Sequence, residues 1–241
     1  MTRVVIAGRL EVTGHAATRI AALLRRGGEP VLVLASGKTM VPLYRELALL
    51  SGRGRAPFRR ARTFNLDELP VAAGDPRSFR AFMERELFSK VPLRRERIHF
   101  LRGDAADSEK ECRRYERELA RFGPPDLALL GIGSNGHVAY LEPGTSLPPV
   151  TAPVRLSPST RRGLAEDGIR PVPRTALTMG LETILKAKEL LLVATGRDKA
   201  GAVAGALSGR ITPRCPASFL TLHAKLTVLL DREAASKLRG L

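Results

Sequence analysis

The chain reads as a three-layer α/β/α sandwich with a mostly parallel, Rossmann-like sheet. Three observations predict this architecture. Short runs rich in Val, Ile and Leu recur through the 241 residues, longer amphipathic stretches separate them, and no linker or internal repeat divides the chain. Strands buried under helices on both faces read as such continuous apolar runs. In order, strands are expected at residues 3–7 (RVVIA), 30–34 (PVLVL), 62–65 (RTFN), 126–130 (DLALL), 190–194 (LLLVA) and 226–230 (LTVLL). Helices are expected at 14–25, 41–50, 78–88, 108–122, 199–207 and 232–238. Phe79, Phe82, Met83 and Phe88 recur at helical spacing, which marks a core-facing stripe. Glu109/Arg113 and Arg114/Glu118 fall four apart, as on a solvated helix face. Residues 148–173, with six prolines, are the most irregular stretch and read as an active-site flap or edge excursion within a single domain spanning 1–241.

Composition narrows the function classes. Forty Lys and Arg against 24 Asp and Glu leave a formal charge of +16, and 44% of residues are hydrophobic, enough for a sizeable core. Aromatics make up 5% with no Trp, so the core is expected to be aliphatic. No stretch nears the roughly 20 apolar residues of a membrane span, and residues 1–8 are too short for a secretory h-region. A cytoplasmic protein with no membrane partner is expected. Cys112 and Cys215 lack metal-ligand spacing and are read as reduced bystanders, with no metal site. The charge is mostly arginine and mostly dispersed, densest at residues 51–62 (SGRGRAPFRRAR). That distribution argues for a basic surface that steers anionic small molecules rather than for a nucleic-acid partner.

In an open parallel sheet, ligands bind beyond the carboxyl ends of the strands. After the second strand comes Ser36-Gly37-Lys38-Thr39, leading into a helix: small residues admit an anion, and hydroxyls and helix-start amides donate to it. This reads as a phosphate cradle, although it lacks the full nucleotide P-loop pattern. After the third strand, Asp67 and Glu68 place two carboxylates at a strand end, where one can act as a general base. The fourth strand ends in LGIGSNGHVAYLEPG, three glycines in six residues followed by His137 and Glu142. Histidine suits proton transfer near neutral pH, and a nearby carboxylate orients it and favours its charged form. His15, His99 and His223 have no such framing and read as packing residues.

The succession LASGKT, TFNLDEL, DPRSFRAFM, LLGIGSNGHVAYLEPG, STR, ALTMG and ATGRDKA resembles the glucosamine-6-phosphate deaminase family over nearly the whole chain. The related 6-phosphogluconolactonases share the fold and a similar first loop. They typically carry an arginine after the Asp-Glu pair and lack the downstream glutamate, where this chain has Leu69 and Glu142. The resemblance implies isomerisation and deamination of an amino sugar phosphate without metal or cofactor. It implies Asp67 as the proton shuttle between C2 and C1, His137 as the ring-opening residue, and Glu142 and Asn135 as its polar partners. Ser36, Gly37, Lys38, Thr39, Arg161 and Lys199 correspond to phosphate-binding positions. Leu141 stands where the family usually has asparagine and Tyr140 where it has phenylalanine. Two alternatives remain on the same scaffold, a lactonase and a noncatalytic phosphosugar sensor. Such sensors usually sit behind a DNA-binding helix-turn-helix, and the strand starting at Arg3 favours the enzyme. The expected partner is a small sugar phosphate, with room for a homo-oligomer.

Overall fold

The computed structural model describes residues 2–238. Seven strands pair in parallel: β1 (Arg3–Ala7), β2 (Val31–Leu34), β3 (Arg62–Asn65), β5 (Ile98–His99), β6 (Leu127–Leu130), β9 (Leu190–Ala194) and β10 (Leu226–Asp231). Their order across the sheet is β1-β10-β9-β6-β2-β3-β5. All four residues of β2 and of β6 are buried, as are all five of β9, which explains their unbroken apolar sequences. A second, antiparallel sheet of β4 (Asp67–Glu68), β8 (Thr175–Thr178) and β7 (Ala152–Arg155) lies in the order β4-β8-β7. This sheet was not expected from the sequence. Its two-residue strand β4 exists because Asp67 and Glu68 pair with Thr178 and Leu177, which lie 111 and 109 residues away in the chain.

The helices are α1 (Arg9–Arg25), α2 (Val41–Gly52), α3 (Phe79–Glu86), α4 (Ser108–Ala120), α5 (Pro158–Glu166), α6 (Leu181–Leu185) and α7 (Ala200–Ala206). Helix α1 begins five residues before the expected start. The Gly8 amide donates to Glu11 Oε2 at 2.6 Å, and the buried face of Val12, Ala16, Ala17 and Ile20 outweighs the helix-weakening Gly14. Helix α3 starts where Ser78 caps it, accepting from the Ala81 amide at 3.0 Å. On α4 the expected Glu109–Arg113 and Arg114–Glu118 ion pairs both form.

Residues 148–173 do lie at a sheet edge and on the cleft, but they are more regular than their prolines predict, and the expected helix at 232–238 needs correction. Residues 148–173 hold the edge strand β7 and the helix α5, begun by Ser157 as N-cap and by Pro158. Glu116 on α4 anchors this segment by accepting from the Thr151 amide at 2.8 Å, and ties it to α6 by accepting from the Thr183 hydroxyl at 2.8 Å. Residues 232–237 form turns rather than a helix. Asp231 accepts from the Ala234 amide at 2.8 Å, and so short a segment gains too little from propagation to offset nucleation.

The core is aliphatic, as the composition predicts, and spreads over both faces of the large sheet. A smaller cluster of Leu69, Phe79, Tyr140, Leu156, Leu164 and Ala176 fills the space between the small sheet, α3 and α5. Each buried Leu or Phe of the cluster contributes roughly 1.5–3 kcal/mol over its exposed state. Among the described residues no helix is long and apolar enough to cross a membrane, no group of His, Cys, Asp and Glu is arranged to hold a metal, and Cys112 and Cys215 are unbridged. His99 lies between Arg62 and Glu118, and His223 faces the Ala187 carbonyl.

Candidate active site

A cleft of about 650 Å³ opens beyond the carboxyl ends of β2, β3, β6 and β9. Four loops reach it because each follows a parallel strand of the same sheet. The first loop is Ser36–Thr39. Gly37 sits at φ 120°, a conformation that disfavours side chains, and this turn feeds a short 3-10 turn at Lys38–Met40 and then α2. Amides in the first turn of a helix lack intrahelical partners, so the loop and the α2 start form an electropositive corner.

Asp67 stands beside this loop, 8% exposed, with its Oδ1 accepting from the Ser36 hydroxyl at 3.3 Å. Burial, reinforced by the neighbouring Glu68 charge, raises its carboxyl to about 7, against the Ser36 hydrogen bond. Glu68 turns away from the cleft and accepts from the amides of Leu69, Phe79 and Arg80 at 2.9, 2.7 and 3.0 Å. It therefore ties β4 to the first turn of α3 and holds the loop that carries Asp67. Burial also raises Glu68 to about 7, with those three amides opposing the shift.

The glycine-rich loop after β6 brings Asn135, His137 and Glu142 together. Asn135 Oδ1 accepts from the His137 amide at 3.1 Å, while its Nδ2 donates to Glu142 Oε2 and to Ser159 Oγ, each at 3.1 Å. Glu142 is buried just behind the cleft wall, and its Oε1 accepts from the Ser157 amide at 3.1 Å. His137 Nδ1 lies 3.3 Å from Thr160 Oγ1 and 3.7 Å from Glu142 Oε2. Burial lowers the imidazole pKa; Glu142 opposes the shift and Lys199 adds to it. The ring is thus neutral near pH 7, and at 3.7 Å its Glu142 neighbour acts by field and orientation rather than as a formed ion pair. Ala139 takes φ 49° in this loop, a strained non-glycine conformation on the cleft wall.

Gly133 is required by this geometry, since a Cβ there would lie 2.3 Å from His137 Cε1. Gly133→Ala should push the ring by about 1 Å and reduce turnover roughly 10- to 50-fold with little change in KM, which steady-state kinetics would measure.

The fourth loop follows β9. Thr195, Asp198 and Lys199 line the cleft, and the Gly196 amide donates to the Asp231 carboxylate at 3.0 Å, fixing the turn. Lys199 Nζ lies 3.0 Å from Asp198.

Of the residues expected at the site, Ser36, Gly37, Lys38, Thr39, Asp67, Asn135, His137 and Lys199 line one cleft, with Glu142 in contact behind. Lys38 does so in an unexpected way, reaching 2.5 Å from Asp167 at the end of α5 across the cleft mouth. Arg161 is not brought in. It lines a separate hollow with Arg155 and Arg174, because residue 161 points about 100° around α5 from Thr160, the residue that faces His137. Leu141 is fully buried in the core, so its departure from the family pattern leaves the cleft wall unchanged. Ser159, Thr160, Thr195 and Tyr140 contribute to the wall without having been singled out for it. The Ser-Pro-Ser-Thr run from Ser157 was the available signal, a helix start rich in hydroxyls.

A family model described as glucosamine-6-phosphate isomerases/6-phosphogluconolactonase matches residues 9–229. The glucosamine-6-phosphate deaminase 1 of Giardia intestinalis is 45% identical over 226 residues, covering 90% of this chain and 84% of that protein. The glucosamine-6-phosphate deaminase 1 of Bacillus subtilis is 41% identical over 229 residues, covering 94% and 95%. A solved structure of a monomeric glucosamine-6-phosphate deaminase superposes with a TM-score of 0.94 at 39% identity over 98% and 99% of the two chains. The 6-phosphogluconolactonase of Thermotoga maritima, at 24% identity and a TM-score of 0.77 over 96% and 99%, shares the fold. With the family model spanning all four cleft loops and these identities holding over nearly the full length, the chain belongs to the glucosamine-6-phosphate isomerase and 6-phosphogluconolactonase family.

Proposed function

We propose that this protein is a glucosamine-6-phosphate deaminase, acting in the cytoplasm to convert the amino sugar phosphate and water to fructose 6-phosphate and ammonia. One observation carries the reading: a buried carboxylate, Asp67, raised to about 7, faces the same cleft as a neutral, carboxylate-backed His137 and an electropositive phosphate corner. The phosphate sits against Ser36–Thr39 and the start of α2, with Lys199 as the cation of the clamp. Neutral His137 takes the C1 hydroxyl proton, Glu142 stabilises the imidazolium so formed, and the imidazolium passes that proton to the ring oxygen as the C1–O bond opens, leaving the open-chain aldehyde and a neutral ring. Asp67 takes the C2 proton, giving the enolamine, and returns it to C1, giving the imine at C2. Water adds to that imine and ammonia leaves. Asp67 suits both halves of this transfer because a pKa near the working pH lets it accept and release a proton with little cost either way.

The test is a panel of hexosamine and hexose 6-phosphates assayed for ammonia release, run beside 6-phosphogluconolactone hydrolysis. Ammonia from glucosamine 6-phosphate is expected. Lactone hydrolysis with no ammonia from any hexosamine phosphate would overturn the reading. Lys199 meets the phosphate in ground and transition states alike, so Lys199→Ala should raise KM roughly tenfold with a smaller effect on kcat. Arg161→Ala, whose side chain lies outside the cleft, should change neither.

A further inference from the structure

The end of the sheet opposite the cleft carries a feature that the deaminase chemistry does not use. The neighbouring strands β6, β2, β3 and β5 are entered through residues 121–126, 25–30, 53–62 and 94–97. These segments hold eleven arginines and no lysine against three acids, a net +8, half the formal charge of the whole chain. The arginines look dispersed in sequence, and folding gathers them. Arg25 Nη1 donates to the Arg55 carbonyl at 2.7 Å and Arg97 Nη1 to the Arg60 carbonyl at 3.0 Å, while the Arg62 amide donates to the Pro30 carbonyl at 2.9 Å. The Asp126 carboxylate accepts from the Val31 amide at 2.8 Å, which joins the fourth segment to the other three in one continuous surface.

The three acids are already engaged. Glu29 pairs with Arg97 at 2.6 Å, Glu96 with Arg94 at 3.9 Å and Asp126 with Lys188 at 2.8 Å. Arg26, Arg53, Arg59, Arg60, Arg95 and Arg121 are exposed and make no ion pair among the described residues. The two aromatics of these segments are not free to stack: Phe58 is buried, and the Arg62 guanidinium covers the Phe122 ring at 3.7 Å.

We propose that this end of the molecule docks on the phosphate backbone of a nucleic-acid duplex, without reading its bases. Guanidinium forks match phosphate oxygens in pairs, which favours arginine over lysine. Single-strand sites need aromatic platforms, and membrane surfaces are held by apolar side chains beside the basic ones; these segments expose neither. Four strands at about 4.8 Å spacing make a strip about 15 Å long, which spans roughly four phosphates of one duplex strand. The surface lies at the other end of the strands from the cleft, so this inference stands apart from the catalytic reading.

Fluorescence anisotropy of a labelled, mixed-sequence 20-base-pair duplex with the full chain tests it. Binding should follow log K against log salt with a slope of about −4, from four released counterions. The quadruple variant Arg59→Ala/Arg60→Ala/Arg95→Ala/Arg121→Ala should flatten that slope to about −1 and weaken binding by on the order of 10³-fold at 100 mM salt. Its ammonia release and melting temperature should match the parent, as these side chains touch nothing the fold needs. The control Arg155→Ala/Arg162→Ala/Arg174→Ala/Arg232→Ala removes the same charge elsewhere and should leave duplex binding within twofold. Equal weakening by both variants would assign binding to net charge and overturn the proposal. So would retention on phosphatidylserine vesicles without duplex binding, or binding of single strands alone.

Discussion

Replacing Asp67 by asparagine should reduce turnover by about 10³-fold while leaving KM for the sugar phosphate nearly unchanged, the scale and pattern of losing a general base that touches only the reacting carbon. Exchange of the C2 proton with solvent deuterium reports this step, and exchange at the parent rate in the variant would remove Asp67 from the role. In the parent protein kcat/KM should climb about tenfold per pH unit up to pH about 7 and then level, because only the ionised carboxylate accepts the proton. The same shift has a stability signature. Folding raises the Asp67 pKa from 3.8 to about 7, so the folded state holds its proton more tightly than the unfolded chain does. Stability from this group is fully present below pH 3.8 and is lost as the pH rises to about 7, when a charge must be kept buried. Asp67→Asn carries no such charge. At pH 8 it should be about 2–4 kcal/mol more stable than the parent, a gain that fades toward pH 4 in paired thermal melts.

Glu142→Gln is the second large effect, and it acts through hydrogen bonding and charge rather than through volume. Both Glu142 oxygens accept, one from the Ser157 amide and one from Asn135 Nδ2, and the side chain is buried. A glutamine of the same shape must turn its NH₂ toward one of these donors, leaving that donor unpaired at a cost of about 1–3 kcal/mol. The lost charge also withdraws support from the His137 imidazolium. Turnover of the cyclic sugar should fall on the order of 10²-fold, and its dependence on pH should shift, since Glu142 raises the His137 pKa. Turnover of an open-chain analogue should fall far less. Equal losses on both forms would mean that Glu142 serves the fold and not ring opening.

The two carboxylates illustrate how much of the site was legible. Asp67 and Glu68 were recognisable as a pair at a strand end, and so was the glycine framing of His137, because tight turns need glycine and proton transfer needs few side-chain types. Their division of labour was not. Glu68 is spent on three amides at the start of α3, leaving Asp67 alone in the cleft, and that split depends on where α3 docks. Arg161 lies outside the cleft, and Lys38 within it reaches Asp167, for a related reason. Sequence neighbours on a helix or turn point in different directions, so adjacency to Thr160 or Gly37 does not share their contacts.

What the sequence determined by itself was the parallel sheet, most of its helices and the loops that carry the chemistry. Those features rest on local pattern: apolar runs, helical periodicity, caps and glycine turns each act within a few residues. Only the tertiary structure decided the antiparallel sheet that seats Asp67 against Thr178, the α5 face that presents Thr160 to His137, and the gathering of scattered arginines at the far end of the strands. Each of these is a contact between segments tens of residues or more apart. Such contacts follow from which strand lies beside which in the sheet, and that order leaves no periodic trace in the sequence.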